Sequence, residues 1–493
     1  MIYGSMILVF VVDGLRPDAI TPDDTPTLDR LRREGVTFAA SHAVFPTVTR
    51  VNAATIATGA QPATHGIVGN QMYVPAVSPG RAFATDSWKN LLALDEATGG
   101  RLLFVPTLAQ RLHAHGRRLA AVSSGSTGSA FLLNPHARHG VGVLVNGYLE
   151  PGALVAHPAD VNDAILARFG PAPAKGGRTD RYDPVVDWTQ TVLREYVVPD
   201  LRPDVVINWI TEPDHIQHAL GAGSPEARAA IRNGDAHIGR ILARVEALGL
   251  DEPTNVFVVS DHGFGVNSGT VRVAGELIEA GLKAGTDSDD VVVASSGQAM
   301  LLSVKGHALD RVAKIVAFLQ SRRWIGVIFT AGGRVEGTLP LALVHADNAE
   351  RAADVLFTFP WTSAPNAFGV PGTDVGDAAS SVTSDHGSMS PWNVRNTMLA
   401  WGPRFKRGVT VRVPAGNADV APTILAMLGL DAAALDGRVL REALAGGPDE
   451  EQLEVETRTH AVEAAGGAYR AVVQVSEVDG RRYVDKGWRV TPP

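Results

Sequence analysis

Short apolar runs alternate with helical stretches along this chain, and this alternation constrains the fold more than any other feature of the sequence. Met6–Val12, Asp204–Ile210 and Asn255–Ser260 are rich in valine and isoleucine, as is typical of buried strands. Between the last two, residues 225–249 place isoleucine, leucine and valine close to the helical period. The order strand–helix–strand predicts an α/β fold with a mostly parallel central sheet flanked by helices.

Two segments depart from this pattern. Residues 265–375 combine two apolar runs with one helical stretch, which predicts a smaller α+β insertion that caps the main sheet. Residues 451–493 alternate charged residues with valine, which predicts a β-rich tail that packs on the core and adds edge strands. The metal-binding catalytic core would then comprise residues 1–264 and 376–450.

Composition excludes several classes of protein. The 493 residues are 45% hydrophobic and 19% charged, which is typical of a globular protein with a large core. Cysteine is absent, which excludes a thiol nucleophile, a cysteine zinc site and any disulfide. The formal charge is −8 without clustered lysine or arginine, which argues against duplex nucleic acid as a partner. A small anionic substrate remains possible, because bound metal can outweigh a mildly acidic surface.

The apolar run near the N-terminus is short and has no basic residues before it. It therefore lacks the length of a membrane span and the pattern of a secretory signal. We expect a cytoplasmic protein without a membrane partner. The sequence leaves the oligomeric state open, a dimer included.

Aspartate and histidine recur where apolar runs end. These residues are Asp13, Asp214 with His218, Asp261 with His262, and His386 in a second Ser-Asp-His-Gly motif. Any one of them would ordinarily be a turn former, a helix cap or a solvated side chain. In open α/β sheets, however, ligands bind beyond the carboxyl ends of the strands, so the coincidence predicts one shared site. Carboxylates together with imidazoles favour zinc, and less often manganese or iron.

The segment FPTVTRVNAATIATG at residues 45–59 supplies a candidate nucleophile. A helix is expected over Thr49–Thr58, and a threonine at its start is usually an N-cap. The same position also directs free N–H groups and the positive end of the helix dipole toward a phosphate. A threonine hydroxyl needs a base or a metal to become nucleophilic, and without a G-x-S-x-G motif a metal is the available activator. Asn52, one turn on, could donate a hydrogen bond to a phosphoryl oxygen.

Taken in order, these motifs resemble the alkaline phosphatase superfamily, specifically its type I phosphodiesterase/nucleotide pyrophosphatase branch. The resemblance lies in VVDGLRPD (11–18), FPTVTRVN (45–52), ATGAQPATHGIVGNQMY (57–73), EPDHIQH (212–218), SDHG (260–263), DHGSMS (385–390) and ADVAPTILAMLGL (418–430). It implies an alkaline-phosphatase-like core and a hydrolase of phosphodiester or pyrophosphate bonds that forms a phosphothreonine intermediate.

The resemblance also implies a site with two divalent metal ions, zinc first and manganese or iron next. One metal would be held by Asp214, His218 and His386, and the other by Asp13, Asp261 and His262, with Thr49 bridging the pair. Asn52 would take the phosphate-contacting role of the family's asparagine. Three residues at or beside motif positions, His65, Asn70 and Asp385, are interpreted as structural. His215 and Asp235 are interpreted as solvated or helix-surface residues.

Arg50 departs from the family pattern, in which an aromatic residue usually follows the nucleophile and stacks on the base. A guanidinium pairs more naturally with an anion, which makes a substrate with a second phosphate or a carboxylate more attractive than a nucleotide. An arginine that points into solvent or forms a local salt bridge is an equal alternative.

Three other functions stay open at this point. Residues 265–375 also resemble the cap of phosphonoacetate hydrolase, so a hydrolase of C–P bonds is one alternative. A phosphomutase of the same superfamily is less favoured, because that group usually carries a serine nucleophile. A non-catalytic metal-binding protein is the least favoured, because structural zinc sites are normally closed by four protein ligands.

Overall fold

The computed structural model describes residues 6–249, 254–378 and 382–490. Its centre is a nine-stranded sheet, whose strands are numbered here in chain order. They are β1 (Ile7–Val12), β2 (Val36–Phe38), β3 (Leu119–Ser123), β4 (Val143–Asn146), β5 (Ala156–His157), β6 (Val205–Ile210), β7 (Asn255–Val259), β8 (Met398–Trp401) and β9 (Val409–Val411). Their order across the sheet is β9–β2–β8–β7–β1–β6–β3–β4–β5. All strands except β5 and β8 run in one direction.

Helices cover both faces of this sheet. The α-helices among the described residues, in chain order, are α1 (Pro26–Glu34), α2 (Thr49–Thr58), α3 (Pro62–His65), α4 (Trp88–Ala97), α5 (Leu108–Ala114), α6 (Thr127–Leu133), α7 (Ala159–Phe169), α8 (Asp183–Val192), α9 (Asp214–Leu220), α10 (Pro225–Ala247), α11 (Val273–Glu279), α12 (Leu309–Gln320), α13 (Pro391–Val394) and α14 (Val420–Met427). A π-helical segment, Leu193–Leu201, continues α8. The predicted α/β class, with a mostly parallel central sheet flanked by helices, is confirmed.

The burial of β1 explains why its sequence is apolar without alternation. All six of its residues are buried, because neighbouring side chains point to opposite faces and both faces are covered. Ile7, Val9 and Val11 belong to the core that contains α2, α4 and α6, whereas Leu8 and Phe10 belong to the core that contains α1, α8 and α10. The three strands predicted from apolar runs correspond to β1, β6 and β7, and each predicted bound lies within one residue of the observed one.

Residues 265–375 contribute to two further sheets. Five strands form one of them: Val291–Ser296, Ala299–Val304, Ile328–Thr330, Leu339–Pro340 and Val355–Thr358. Four strands form the other: Gly265–Val271, Trp361–Pro365, Pro371–Asp377 and Ser384–Asp385. The second sheet crosses the boundary predicted at residue 375, because Ser384–Asp385 pairs with the start of Gly265–Val271. The division into a core and a cap stays a prediction.

The tail forms its own three-stranded antiparallel sheet from Val455–Ala464, Tyr469–Val478 and Arg481–Arg489. The expectation of edge strands on the central sheet is therefore wrong, since these strands pair with one another. Buried Tyr469 donates a hydrogen bond from its hydroxyl to the Gly326 carbonyl, 2.9 Å away, and so anchors the sheet. The last three residues of the predicted tail lie outside the described residues, as do residues 1–5, 250–253 and 379–381 of the predicted core.

Two small ribbons complete the strands. Ser41–His42 pairs with Ala415–Gly416, and Gln71–Met72 pairs with Phe83–Ala84. Within the described ranges, no helix combines the length and the apolar character needed to cross a lipid bilayer.

Candidate active site

Three loops that follow β1, β6 and β7 meet at one edge of the central sheet. β1 lies between β6 and β7, so the ends of these parallel strands are neighbours. Hydrogen bonds join the loops: the Asp214 N–H donates to the Asp13 carbonyl at 3.1 Å, and the Gly14 N–H donates to Asp261 Oδ1 at 3.1 Å. Gly14 has a φ of +69°, so the turn that places Asp13 at this edge requires a glycine. The strand ends therefore bring together the carboxylates of Asp13, Asp214 and Asp261.

A fourth loop brings His386 to the same place. The Ser384–Asp385 strand ends just before His386, and Gly387 then adopts a φ of +114°. A Cβ atom at Gly387 would lie 2.3 Å from the Ser296 carbonyl oxygen, so no larger residue fits this turn. The Gly387 N–H donates to Thr47 Oγ1 at 3.1 Å, which ties the loop to the residues just before α2.

The carboxylate and imidazole side chains at this edge lie within a few ångströms of one another. His262 Nε2 is 3.0 Å from Asp261 Oδ2 and 3.6 Å from Asp13 Oδ1. Asp214 Oδ1 is 3.4 Å from Nε2 of both His218 and His386. The structure thus brings together the six side chains that the sequence predicted as metal ligands: Asp13, Asp214, His218, Asp261, His262 and His386.

The three histidines share one orientation. In each ring Nδ1 lies 2.9 Å from a backbone carbonyl oxygen, and those oxygens belong to Ser384 for His218, Gly263 for His262 and Thr47 for His386. A carbonyl accepts, so the geometry assigns the proton to Nδ1 and leaves a lone pair on Nε2. Nε2 faces carboxylate oxygens in every case, and two acceptors at this distance need positive charge between them. Imidazoles oriented by a carbonyl in this way are typical of metal ligands.

Unsatisfied carboxylate oxygens support the same interpretation. Asp13 Oδ1, Asp214 Oδ1 and Asp261 Oδ2 are buried and have no hydrogen-bond partner among the described residues. The other oxygen of Asp13 accepts from Trp209 Nε1 at 3.0 Å. A buried, unpaired carboxylate oxygen is costly, and a divalent cation among these atoms would remove that cost. The residues present therefore fit divalent metal ions.

The pKa values of these groups follow from their crowding. Burial, together with the Asp214 and Asp261 carboxylates, raises the pKa of Asp13 well above its usual value. Burial would lower the pKa of His218, but the carboxylates of Asp214 and Asp385 raise it to about 9. Burial by itself lowers the pKa of His386, and the neighbouring His262 lowers it further. The carboxylates thus favour positive charge between them, whereas the ring of His386 favours its neutral form.

Thr49 stands at the first residue of α2, where the sequence places it. The helix has the predicted bounds, Thr49–Thr58, and the Thr49 side chain is buried. Its Oγ1 lies 3.3 Å from His262 Nε2. The hydroxyl is therefore beside the carboxylate and imidazole cluster and at the positive end of a helix dipole.

An open cavity of about 390 Å³ gives access to these groups. One wall carries groups of the cluster and the hydroxyl: Thr49, Asp214, His218, Asp385 and His386. Other walls carry mostly polar side chains: Arg50, Asn70, Gln71, Asp86, Arg178, His215 and Ser295. A small ligand can therefore contact Thr49 and the polar wall at the same time.

The phosphate-contacting role predicted for Asn52 is wrong. Asn52 is fully buried, and its Oδ1 accepts from the Val44 N–H and from Asn417 Nδ2. Its Nδ2 donates to the carbonyls of Val44 and Val48. The turn before α2 and the Asn417 side chain use all of its hydrogen-bonding capacity, so none is left for a ligand.

Asn70, interpreted from the sequence as structural, lines the cavity instead. Its Oδ1 accepts from the Arg50 N–H at 3.1 Å, so its Nδ2 is the donor that remains for a ligand. Its place within the family-like segment 57–73 is the signal that could have indicated this, although a loop returns Asn70 to α2 from 20 residues further along the chain.

Asp385 also lies closer to the site than a structural interpretation implies. It accepts from the His386 N–H at 2.9 Å, and its Oδ1 is 3.8 Å from His218 Nδ1. Its carboxylate forms a possible ligand group with the rings of His218 and His386. Its place beside His386 in the Ser-Asp-His-Gly motif is the signal that could have indicated this.

Of the three remaining residues interpreted from the sequence, one lies where it was expected and two do not. His65 is buried between Thr55 Oγ1 and the Ile67 N–H, as a structural residue would be. Asp235 is not at the helix surface but buried, where it accepts from the N–H groups of the first turn of α1. His215 lines the cavity, and its ring stacks on Tyr182 with centroids 3.5 Å apart.

Comparison with known proteins points to one family. The family model described as type I phosphodiesterase / nucleotide pyrophosphatase matches residues 7–324. Ectonucleotide pyrophosphatase/phosphodiesterase family member 1 of Mus musculus is 25% identical over 258 residues, 52% of this chain and 24% of that protein. A venom phosphodiesterase of Macrovipera lebetinus is 25% identical over 261 residues, 52% of this chain and 25% of that protein.

An uncharacterized pyrophosphatase/phosphodiesterase of Schizosaccharomyces pombe is 23% identical over 273 residues, 54% of this chain and 46% of that protein. The matched region thus spans less than half the length of each of these relatives. The match to the family model includes Thr49 and every predicted metal ligand except His386.

Proposed function

Because this chain belongs to the type I phosphodiesterase / nucleotide pyrophosphatase family, we propose that it is a metal-dependent hydrolase of phosphodiester or pyrophosphate bonds with Thr49 as the nucleophile. The observation that carries this proposal is the position of the Thr49 hydroxyl. It lies 3.3 Å from His262 Nε2, beside buried carboxylate oxygens that lack hydrogen-bond partners among the described residues, and it lines an open cavity. A hydroxyl in such surroundings can be activated, whereas a solvated threonine cannot.

We assign the metal ligands as two sets. One set is Asp214, His218 and His386, and the other is Asp13, Asp261 and His262 together with Thr49. Mixed oxygen and imidazole ligands favour zinc, and they also suit manganese or iron. When bound, such cations would supply Lewis acidity to the Thr49 hydroxyl and to the phosphoryl oxygens. Each set holds three carboxylate or imidazole side chains, and the second also holds the reactive Thr49 hydroxyl, so neither set has the four inert protein ligands of a closed structural site.

The chain's own residues perform the remaining tasks. The Thr49 hydroxyl loses its proton to solvent and its oxygen attacks phosphorus, while the bond from phosphorus to the leaving oxygen breaks with its electron pair on that oxygen, so that a phosphothreonine forms. Water then attacks this phosphorus and loses a proton to solvent, the bond from phosphorus to the Thr49 oxygen breaks, and that oxygen takes up a proton. Asn70 Nδ2 donates to a phosphoryl oxygen, and the N-terminus of α2 favours the negative charge that gathers there.

A phosphonate hydrolase is the second candidate, and Arg50 is the observation that favours it. Arg50 lines the cavity beside the nucleophile, where a guanidinium would suit the carboxylate of a phosphonoacetate-like substrate. In that reaction the leaving atom would be carbon, with the same attack by Thr49. A small anionic substrate is common to both candidates, and the cytoplasmic location stays a prediction.

Steady-state assays of the zinc-loaded protein test the proposal. We expect turnover of bis-p-nitrophenyl phosphate and of a dinucleotide, measured as released nitrophenol and mononucleotide. Release of inorganic phosphate and acetate from phosphonoacetate, without turnover of either diester, would favour the second candidate. Lack of turnover with all three compounds, while metal is bound, would contradict both.

Paired asparagine variants test the reassignment from Asn52 to Asn70. Asn70→Ala is expected to lower kcat/KM for the diester about 10- to 100-fold, because a hydrogen bond to a charged oxygen is lost. Asn52→Ala is expected to lower the free energy of unfolding by roughly 2–4 kcal/mol, because it leaves buried groups of Val44 and Asn417 unpaired. Urea unfolding and initial rates on both variants provide the measurement. A stable Asn52→Ala protein with the larger loss of kcat/KM would reverse the reassignment.

A further inference from the structure

Arg50 is held against the cavity by its neighbours. It is the second residue of α2, directly after Thr49, and it is half-buried. Its backbone N–H donates to Asn70 Oδ1, another group of the cavity wall. The backbone of Arg50 is thus fixed next to the proposed nucleophile, and the residue lines the space that a ligand would enter.

Within the described part of the chain, the guanidinium of Arg50 has no hydrogen-bond or ion-pair partner. Its Nε is buried without a hydrogen bond, and within residues 6–249, 254–378 and 382–490 no carboxylate forms an ion pair with it. Arg138, which is buried to a similar degree, illustrates the usual arrangement, because it pairs with Asp95 at 2.8 Å. A partly buried charge without a partner is unfavourable unless a ligand supplies a counter-charge and hydrogen-bond acceptors. An anionic ligand group would supply both.

A second cation faces the same cavity from another element. Arg178 belongs to the exposed segment before α8, and it also lines the cavity. This segment is anchored beside Asp214, since the Asp180 carbonyl lies 3.1 Å from His215 Nε2 and Tyr182 stacks on His215. Asp86 lines the cavity too, but it is exposed, so solvent and salt screen its charge.

The cavity offers little surface for a nucleobase. Three imidazoles, those of His215, His218 and His386, are the aromatic side chains among its lining residues. His218 and His386 belong to the proposed metal site, and Tyr182 already covers one face of the His215 ring. The apolar lining residues are small: Ala84, Ala219, Gly297 and Val382. A base normally binds by stacking on an aromatic plane or an apolar surface. The lining of this cavity therefore suits recognition of a charged group rather than stacking of a base.

We infer that this site selects substrates that carry a second anionic group, a carboxylate or a phosphate, and that Arg50 binds this group while the reacting phosphoryl group lies at Thr49. The inference rests on the proposed function, because it uses Thr49 to locate the reacting group. A guanidinium matches both anions through two parallel N–H···O bonds. Arg178, an exposed residue that lines the same cavity, adds positive charge there.

Three phosphonates that differ in one substituent test the inference. Methylphosphonate has no second anionic group, phosphonoacetate adds a carboxylate, and methylenediphosphonate adds a phosphonate that mimics phosphate. Their Kd values are measured by titration calorimetry on zinc-loaded chains that also carry Thr49→Ala, which prevents turnover. With Arg50 present, one or both of the charged compounds should bind about 10- to 100-fold more tightly than methylphosphonate. The compound that binds more tightly than methylphosphonate shows whether the second anionic group is a carboxylate or a phosphate.

Variants assign the preference to Arg50. Arg50→Leu should reduce the preference to about threefold or less, and Arg50→Lys should keep part of it, because a lysine retains charge but not the bidentate geometry. Arg181→Leu is the matched control, since Arg181 is half-buried like Arg50, pairs with Asp183 and is not among the residues that line the cavity. This variant should keep the full preference.

Two results would overturn the inference alone: equal binding of the three compounds, or a preference that survives Arg50→Leu. Failure of all three compounds to bind would contradict the proposed metal site together with the inference. Because calorimetry requires no turnover, an inactive chain that still shows the Arg50-dependent preference would contradict only the proposed reaction.

Discussion

Thr49→Ala is expected to lower kcat for bis-p-nitrophenyl phosphate by at least about 10⁴-fold, because it removes the attacking oxygen while leaving the cluster around it in place. The side chain is buried beside His262, and α2 holds it through its backbone. The metal content should stay at the wild-type value, because the carboxylates and imidazoles supply the other ligands. Initial rates and metal analysis by mass spectrometry provide the measurement.

Two further substitutions at Thr49 separate chemistry from packing. Thr49→Val keeps the shape of the side chain without its hydroxyl, and it should be as inactive as the alanine variant. Thr49→Ser keeps a hydroxyl and should retain activity well above both. A valine variant with a normal kcat would exclude Thr49 as the nucleophile, whatever the serine variant does.

Removal of bound metal is expected to lower kcat/KM by roughly 10³-fold or more and to lower the thermal midpoint of unfolding. The chemical reason is the loss of Lewis acidity at Thr49 and at the phosphoryl oxygens. The structural reason is that buried carboxylates of Asp13, Asp214 and Asp261 would again face one another without counter-charge. Dialysis against a chelator, followed by rate and calorimetric measurements, tests both effects, and added zinc should reverse them.

One ligand variant and one control localise the metal effect. Asp261→Asn removes a charge at nearly constant volume and should reduce the bound metal from two ions per chain to one. Asp187→Asn is the control, because Asp187 is an exposed partner of His237 away from the cluster, and it should leave the metal content unchanged. Full activity after exhaustive chelation would contradict the metal-dependent mechanism.

The parts of the fold that depend on local pattern could be predicted from the sequence. β1, β6 and β7 are continuous apolar runs, because both faces of the central sheet are covered, and parallel strands deliver the residues after them to one edge. This is why Asp13, Asp214 and Asp261 could be placed together without a structure. The tail was more difficult, because alternation predicts strands but not which strands they pair with.

The asparagines show where local pattern fails. Asn52 is one helical turn from Thr49, which suggested a shared ligand. However, helical side chains lean toward the N-terminus, and Asn52 therefore reaches the turn at Val44 and Val48 rather than the cavity. Asn70 and Arg178 reach the cavity through loops, and the positions of loops depend on long-range contacts that no period in the sequence encodes.

A crystal structure of the metal-loaded protein with orthovanadate tests the central claim most directly. Vanadate adopts the geometry of a phosphoryl group under attack, so it reports which protein atom faces phosphorus. We expect one metal ion among Asp214, His218 and His386, a second among Asp13, Asp261 and His262, and Thr49 Oγ1 at bonding distance from vanadium. A single metal ion, or vanadate bound with Thr49 turned away from it, would contradict the account.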